Sequence, residues 1–240
     1  MMRGLLANLD RRFAIAGVVL FVSGLLLVAG LVSIVVTLND DNVDLPSEGS
    51  LEEILREHEP AQTSDESPVN EVAGPPPTRM SIPRIAVDAP IVAMGLDSRR
   101  YPEVPKNGGD VAWYTFSAAP GQGSNAVFSG HVDWYYWGQP GEGVFYHLRE
   151  LQIGDEILLD LEDGSQVRYA VSGNVAVAYD DPNVVDVMAP TSKDVITLIT
   201  CGGTWQRDYS DPNGGNYSHR VIVRAERVSG LASGQGVGGG

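Results

Sequence analysis

One cysteine stands in the 240 residues of this chain. A single thiol excludes an internal disulfide framework and a thiolate cage for zinc, and it leaves Cys201 without a covalent partner within the chain. Basic residues are scarce: 16 Lys and Arg stand against 31 Asp and Glu, a formal charge of −15. A surface that acidic does not suit a phosphate backbone, so no nucleic-acid partner is expected. No long amphipathic helical pattern occurs, no internal repeat is present, and no acidic run has EF-hand spacing. No metal is therefore expected, and no cofactor either. Gly17, Gly24 and Gly30 do not give a GxxxG spacing, so helix pairing is not expected.

What is present is unevenly spread. Residues 1–12 carry Arg3, Arg11 and Arg12 against Asp10. Phe13 to Leu38 then holds no charged residue at all and is mostly Val, Leu, Ile, Ala and Gly. At about 1.5 Å per residue such a helix exceeds the roughly 30 Å hydrocarbon core, so residues 13–38 are expected to be an uncleaved transmembrane helix. The flanking arginines put residues 1–12 in the cytoplasm as a short tail, and Asp40, Asp41 and Asp44 put the rest outside. Residues 39–78 carry eleven acids against Arg56 alone, with many Pro and Ser. This segment reads as an acidic, flexible stalk. Within it Leu51 to His58 can form a short helix, with Ser50 as its cap and Glu53 in the capping-box position; His58 reads as a solvated surface histidine. Gly74-Pro75-Pro76-Pro77 closes the stalk with a stiff, extended piece.

From residue 79 to 229 the pattern becomes one of short apolar runs. Ile82 to Val87 and Ala89 to Val92 are punctuated by prolines, as at edge strands or strand starts. Val111 to Tyr114, Asn125 to Ser129, Glu156 to Leu161, Gln166 to Val171, Val175 to Tyr179, Val195 to Thr200 and His219 to Glu226 follow. Asp163-Gly164 between two of these runs is a hairpin signal. Gly143 to Leu151 reads as a short helix or turn. The fold class is mainly β, a single barrel or sandwich with short helices. Residues 230–240 form a Gly-rich tail.

Three residues carry the chemistry. Asp194 to Thr200 reads as a buried strand that Gly202-Gly203 breaks at once, which sets Cys201 where a rigid strand meets a loop. Ser129-Gly130-His131 places an imidazole directly after another strand. Arg220 opens the last strand, with Arg224 on the same face about 13 Å further on and Arg207 inside a long polar loop spanning 202–218. Each alone has a bland reading: a core thiol, a structural histidine, a solvated arginine. Their combination favours a reactive thiol. His147 and His219 are the other imidazoles of the domain.

Residues 80–226 resemble a sortase, the membrane-anchored cysteine transpeptidase of bacterial surfaces. Thr197-Leu198-Ile199-Thr200-Cys201 matches the TLxTC motif of that family, and Gly130-His131, about 70 positions upstream of the cysteine, matches its histidine motif. Ile82-Pro83-x-Ile85-x-Val87-x-Ala89-Pro90 is similar to its opening strands. Gly202-Gly203 is similar to the class F or class E group. The resemblance implies a closed sortase-type β-barrel with His131, Cys201 and Arg220 catalytic and Thr200 beside the substrate. It implies cleavage of an LPxTG-type sorting signal on a secreted protein and transfer to an amine of a cell-wall precursor or a pilin. It also implies a single-pass protein of the bacterial cell membrane with an extracellular catalytic domain. Asp133 could orient His131, and the cluster Trp134-Tyr135-Tyr136-Trp137 could pack the loop or wall a peptide. Two rivals remain. An L,D-transpeptidase would want an SHGC-like motif, which is absent, and a papain-like peptidase would place Cys before His. A catalytically inactive anchored scaffold or adhesion barrel would keep Cys201 as a buried, slowly reacting thiol.

Overall fold

A computed structural model describes residues 45–56, 74–210 and 214–228. The expected transmembrane helix at 13–38, His58, the tail 230–240 and most of the stalk lie outside the described residues. Among the described residues no helix is long and apolar enough to cross a membrane.

The chain forms β1 (Ser47–Glu48), α1 (Leu51–Arg56), β2 (Pro77–Ile82), β3 (Val87–Met94), β4 (Val111–Tyr114), β5 (Asn125–Ser129), β6 (Asp133–Tyr136), β7 (Gln139–Glu142), β8 (Glu156–Leu161), β9 (Gln166–Ala178), β10 (Val195–Arg207) and β11 (Gly215–Arg227). Eight strands run in the order β9-β11-β10-β5-β4-β3-β2-β8, and β8 pairs again with β9, which closes a barrel. Most neighbours are antiparallel, whereas β10–β5 and β3–β4 are parallel. Closure removes the open edges that an isolated sheet would expose.

Alternation builds the interior. Met80, Ile82, Trp113, Phe128, Ile157, Leu159, Tyr169, Ile196, Leu198, Val221 and Val223 point inward and are buried. The opposite face of β9-β11-β10-β5 carries a second apolar layer that includes Val127, Val175, Val177, Ile199 and Ile222. A bulge in β9 produces the switch: Arg224 pairs with Gly173 while Ala225 pairs with Val171, so one residue is skipped and the faces exchange. Asn174 thereby turns inward, where its Nδ2 donates to the carbonyls of Leu148, Arg149 and Leu151 at 2.8–3.2 Å.

Several elements differ from the sequence expectation. Residues 45–56, read as part of a flexible stalk, pack on the barrel. β1 pairs with β9 through Ser47 and Val175, and Ile54 of α1 is buried against the outer apolar layer with Leu51 and Leu55. The spacing i, i+3, i+4 gives α1 one apolar face, and that face covers Val175 and Val177. The expected Ser50 cap is formed, with the Glu53 N–H donating to Ser50 Oγ at 3.1 Å. Ile82 to Val87 is not one strand. Pro83 starts a 3₁₀ turn over Pro83–Ile85, and Ala86 adopts a left-handed φ of 54°, so β2 and β3 fold back on each other.

Gly202-Gly203 does not end the strand that bears Cys201. β10 continues to Arg207 through an irregularity between Gly202 and Trp205. Gly203 takes a φ of 77°, open to glycine at little cost, and a side chain there would collide with Ser218 Oγ. Beyond it Trp205, Gln206 and Arg207 pair with Tyr217, Asn216 and Gly215. Much of the expected loop is thus a hairpin arm. The aromatic cluster after His131 is a hairpin as well: β6 and β7 pair, with Trp137 and Gly138 at the turn in positive φ.

Candidate active site

Cys201 and Arg220 face each other. β10 and β11 pair antiparallel with Cys201 opposite Arg220, Ile199 opposite Ile222 and Thr197 opposite Arg224. Residues directly opposite in such a pair share a face. Thiol and guanidinium therefore lie at one end of the outer face, beyond the apolar layer that fills its middle.

The guanidinium is held from three sides. Arg220 Nη1 donates to the carbonyls of His219 at 2.9 Å and Tyr217 at 3.3 Å, and Nη2 donates to Asn216 Oδ1 at 2.9 Å. It also stands over the Tyr179 ring, 5.8 Å from its centroid. The two competing arginines sit elsewhere. Arg224 shares the face of Arg220, as alternation predicts, yet it is buried at 1% exposure, with Nη2 3.5 Å from the Val187 carbonyl. The 3₁₀ segment Val184–Met188 covers it. That segment is tied down by Asn125, whose Nδ2 donates to the Val187 and Ala189 carbonyls while its Oδ1 accepts from Thr197. Arg207 lies out on the hairpin arm, 5.9 Å from the Tyr209 ring centroid.

His131 follows β5, and β5 runs parallel to β10 with Ser129 beside Ile199. Two hydrogen bonds fasten the histidine loop to the cysteine strand: the Gly130 N–H donates to the Ile199 carbonyl at 3.2 Å, and Thr200 Oγ1 donates to the Gly130 carbonyl at 2.8 Å. The imidazole is packed by Trp134, with ring centroids 4.5 Å apart. Its Nε2 lies 2.8 Å from the Pro105 carbonyl. A carbonyl can only accept, so Nε2 carries the hydrogen and Nδ1 is the nitrogen left to gain or lose a proton. The backbone of His131 also needs Gly143, because a Cβ at that position would strike the His131 carbonyl oxygen.

Burial pushes the Cys201 thiol above its ordinary range; the Arg220 charge pulls it back and the Asp133 charge pushes it further up. Asp133 begins β6 and accepts a hydrogen bond from the Tyr217 hydroxyl at 2.7 Å on Oδ2. That bond joins the hairpin after His131 to the strand that bears Arg220. Burial, then Asp133, push the Tyr217 phenol well above its ordinary range.

Thr200 is a buried brace between the cysteine strand and the histidine loop. It is 4% exposed, and its hydroxyl is committed to Gly130. Of the aromatic cluster, Trp134 packs on His131, while Tyr135 and Trp137 are exposed. Asp133 does not touch the His131 ring through any hydrogen bond described; its partner is Tyr217. That partnership, with Asn216, Pro105 and Tyr179, was not legible in the sequence. Tyr217 with Asp133, Pro105 with His131 and Tyr179 with Arg220 join segments far apart along the chain, whereas Asn216 lies four residues before Arg220 and carried a positional hint. His219 bonds Ser218 through Nδ1 at 2.8 Å, and His147 lies between Glu142 and Glu150.

The sequence of residues 80–228 matches the sortase domain family. This chain belongs to the sortase family. Among solved structures it is similar to the lid mutant of sortase A from Corynebacterium diphtheriae, 28% identical over 65% of this chain and 73% of that one, with a TM-score of 0.47. It is also similar to sortase C-1 from Actinomyces oris, 25% identical over 70% and 86% of the two chains, with a TM-score of 0.48. No curated protein matches it. The chain is thus a sortase-type cysteine transpeptidase built on a closed eight-stranded barrel. The sortase domain contains the only thiol of the chain, and that thiol stands opposite a tethered arginine.

Proposed function

We propose that Cys201, His131 and Arg220 carry out a two-step transpeptidation on the C-terminal sorting signal, of LPxTG type, of a secreted protein. The observation that carries this reading is the pairing of Cys201 with Arg220, beside a histidine loop fastened to the same strand through Gly130. The Cys201 thiolate attacks the scissile carbonyl, the C–N bond breaks, and the His131 imidazolium gives its proton to the departing amine. The product is a thioester on Cys201. The acceptor amine then attacks this thioester, its proton passes to the neutral imidazole, and the C–S bond breaks to restore the thiolate. Arg220 keeps its charge throughout and stabilises the oxyanion or holds the peptide carbonyl.

The acceptor is an amine on a cell-wall precursor or a pilin lysine. Residues 13–38 hold the chain in the bacterial cell membrane as a single pass, with residues 1–12 cytoplasmic and the catalytic barrel outside. The apolar run between Arg12 and Asp40 supports this arrangement. Gly202-Gly203 directly after the cysteine supports the class F or class E group.

Mass spectrometry of the chain incubated with a library of sorting peptides tests the reading. A mass increase on Cys201, equal to the acyl fragment and lost in Cys201→Ala, is expected. No adduct with any peptide of the library would sink it.

A further inference from the structure

Asp133 is in an unfavourable place for the first half of the reaction. Its carboxylate charge reaches the Cys201 sulfur and opposes formation of the thiolate. Its position is nevertheless well defined. It opens β6 two residues after His131, about 6–7 Å along an extended chain, and the Tyr217 hydroxyl anchors its Oδ2 at 2.7 Å. Tyr217 stands three residues before Arg220 and packs edge-on against Trp205. The carboxylate is exposed, and no Lys, Arg or His among the described residues forms an ion pair with it.

A second acid faces it. Asp133 and Glu142 are direct partners across the β6–β7 hairpin, so both carboxylates lie on one face. Like charges in that relationship repel. Glu142 is turned to His147 at 3.4 Å, and among the described residues Asp133 is held by an uncharged hydroxyl. Asp133 thereby leaves a negative charge beside the thiol, on a chain that is already acidic overall.

Once the thioester has formed, the sulfur no longer carries charge. The penalty that Asp133 imposes on the thiolate disappears, and the same carboxylate becomes attractive to a cation. We propose that Asp133 is the docking group for the ammonium form of the acceptor, a specificity residue for the second half of the reaction. This rests on Cys201 being the acylated nucleophile. The acceptor arrives as R–NH3+ and forms charge-assisted hydrogen bonds to the carboxylate. It loses one proton to water and becomes a nucleophile. As the C–N bond forms and the C–S bond breaks, its second proton passes to neutral His131, which regenerates the thiolate and the imidazolium.

The test uses the full chain and two acceptors offered to the same thioacyl-enzyme: cadaverine, cationic at neutral pH, and hydroxylamine, which is neutral. Asp133→Asn is expected to lower kcat/KM for cadaverine about tenfold relative to hydroxylamine, chiefly through KM, and to raise the hydrolysed share. Asp133→Glu is expected to keep the preference for the cation. Tyr217→Phe, which removes the hydrogen bond and leaves the charge, is expected to keep it too. Equal losses with both acceptors, the same pattern in Tyr217→Phe as in Asp133→Asn, or no change in the ratio would overturn the proposal. Failure of the parent chain to form any thioester on Cys201 would overturn the underlying reading, and this one with it.

Discussion

Cys201 and Arg220 are direct cross-strand partners, and the next arginine on that face, Arg224, pairs with Thr197 beneath a covering segment. Burial, not alternation, separates the two arginines. Arg220→Ala is expected to lower kcat by about a hundredfold or more, in the range of a lost oxyanion donor, with a nearly unchanged melting temperature. Arg224→Ala is expected to do the reverse. It empties a buried site and removes a donor to Val187, at a cost of about 2–4 kcal/mol, while folded molecules keep most of their turnover. Turnover and thermal unfolding of the two variants, measured together, check this. Equal kinetic losses would mean that the register does not identify the functional arginine.

The thiol itself gives a second expectation. Burial raises the Cys201 pKa and Arg220 lowers it. The rate of alkylation by iodoacetamide should therefore titrate with a midpoint above the ordinary thiol value of about 8.5. At neutral pH the thiolate is the minor form. In Arg220→Ala the midpoint should move higher still, since the charge that lowers it is gone. A midpoint at or below the ordinary value, or one unmoved by removal of Arg220, would contradict this balance of burial and charge.

Thr200 provides a third. Its hydroxyl holds the Gly130 carbonyl, one residue before His131 and one residue before Cys201 on its own strand. Thr200→Val keeps the shape and removes the bond. The stability cost is expected to be about 1 kcal/mol. The kinetic cost should be larger, about tenfold in kcat, because the imidazole is no longer fixed relative to the thiol. Thr200→Ser should retain most of the activity. Wild-type turnover in the valine variant would show that the loop is positioned without this bond.

The parts of the fold written locally were legible. Thr197 to Cys201 alternates between the two faces of a strand, and Asp163-Gly164 marks a turn that needs a positive φ, found at Gly164 with 82°. The Ser50 cap was readable for the same reason, since cap and recipient are three residues apart. What was not legible depended on distant partners. The helix α1 looked like part of a solvated stalk because its cover, Val175 and Val177, lies more than a hundred residues away. Gly202-Gly203 looked like a strand end because glycine weakens strands. The strand continues because Trp205 finds Tyr217 on the other side of the bulge. The β6–β7 turn was hidden because Trp137, rarely suited to a φ of 51°, occupies the position usually filled by Asn, Asp or Gly.

His147 supplies a pH dependence away from the thiol. Its Nδ1 is 2.6 Å from Glu150 Oε1 and its Nε2 3.4 Å from Glu142 Oε2. The hydrogen bond to Glu150, followed by the charges of both glutamates, holds the imidazole protonated above its ordinary range. A folded-state value above the unfolded one means that the folded state binds the proton more tightly. Its stabilising contribution is complete below about pH 6.5, the unfolded value, and is lost as pH rises through the raised folded value. The side chain is 39% exposed, so solvent screens the effect and a shift of only about 1–2 °C is expected. Melting temperatures of the parent chain and His147→Gln should differ most near pH 5.5–6 and converge by about pH 8.5. A difference that is constant over that interval would show that the proton on His147 is not linked to folding. A difference that grows toward alkaline pH would reverse the sign and mean that the neutral imidazole is the form the glutamates favour.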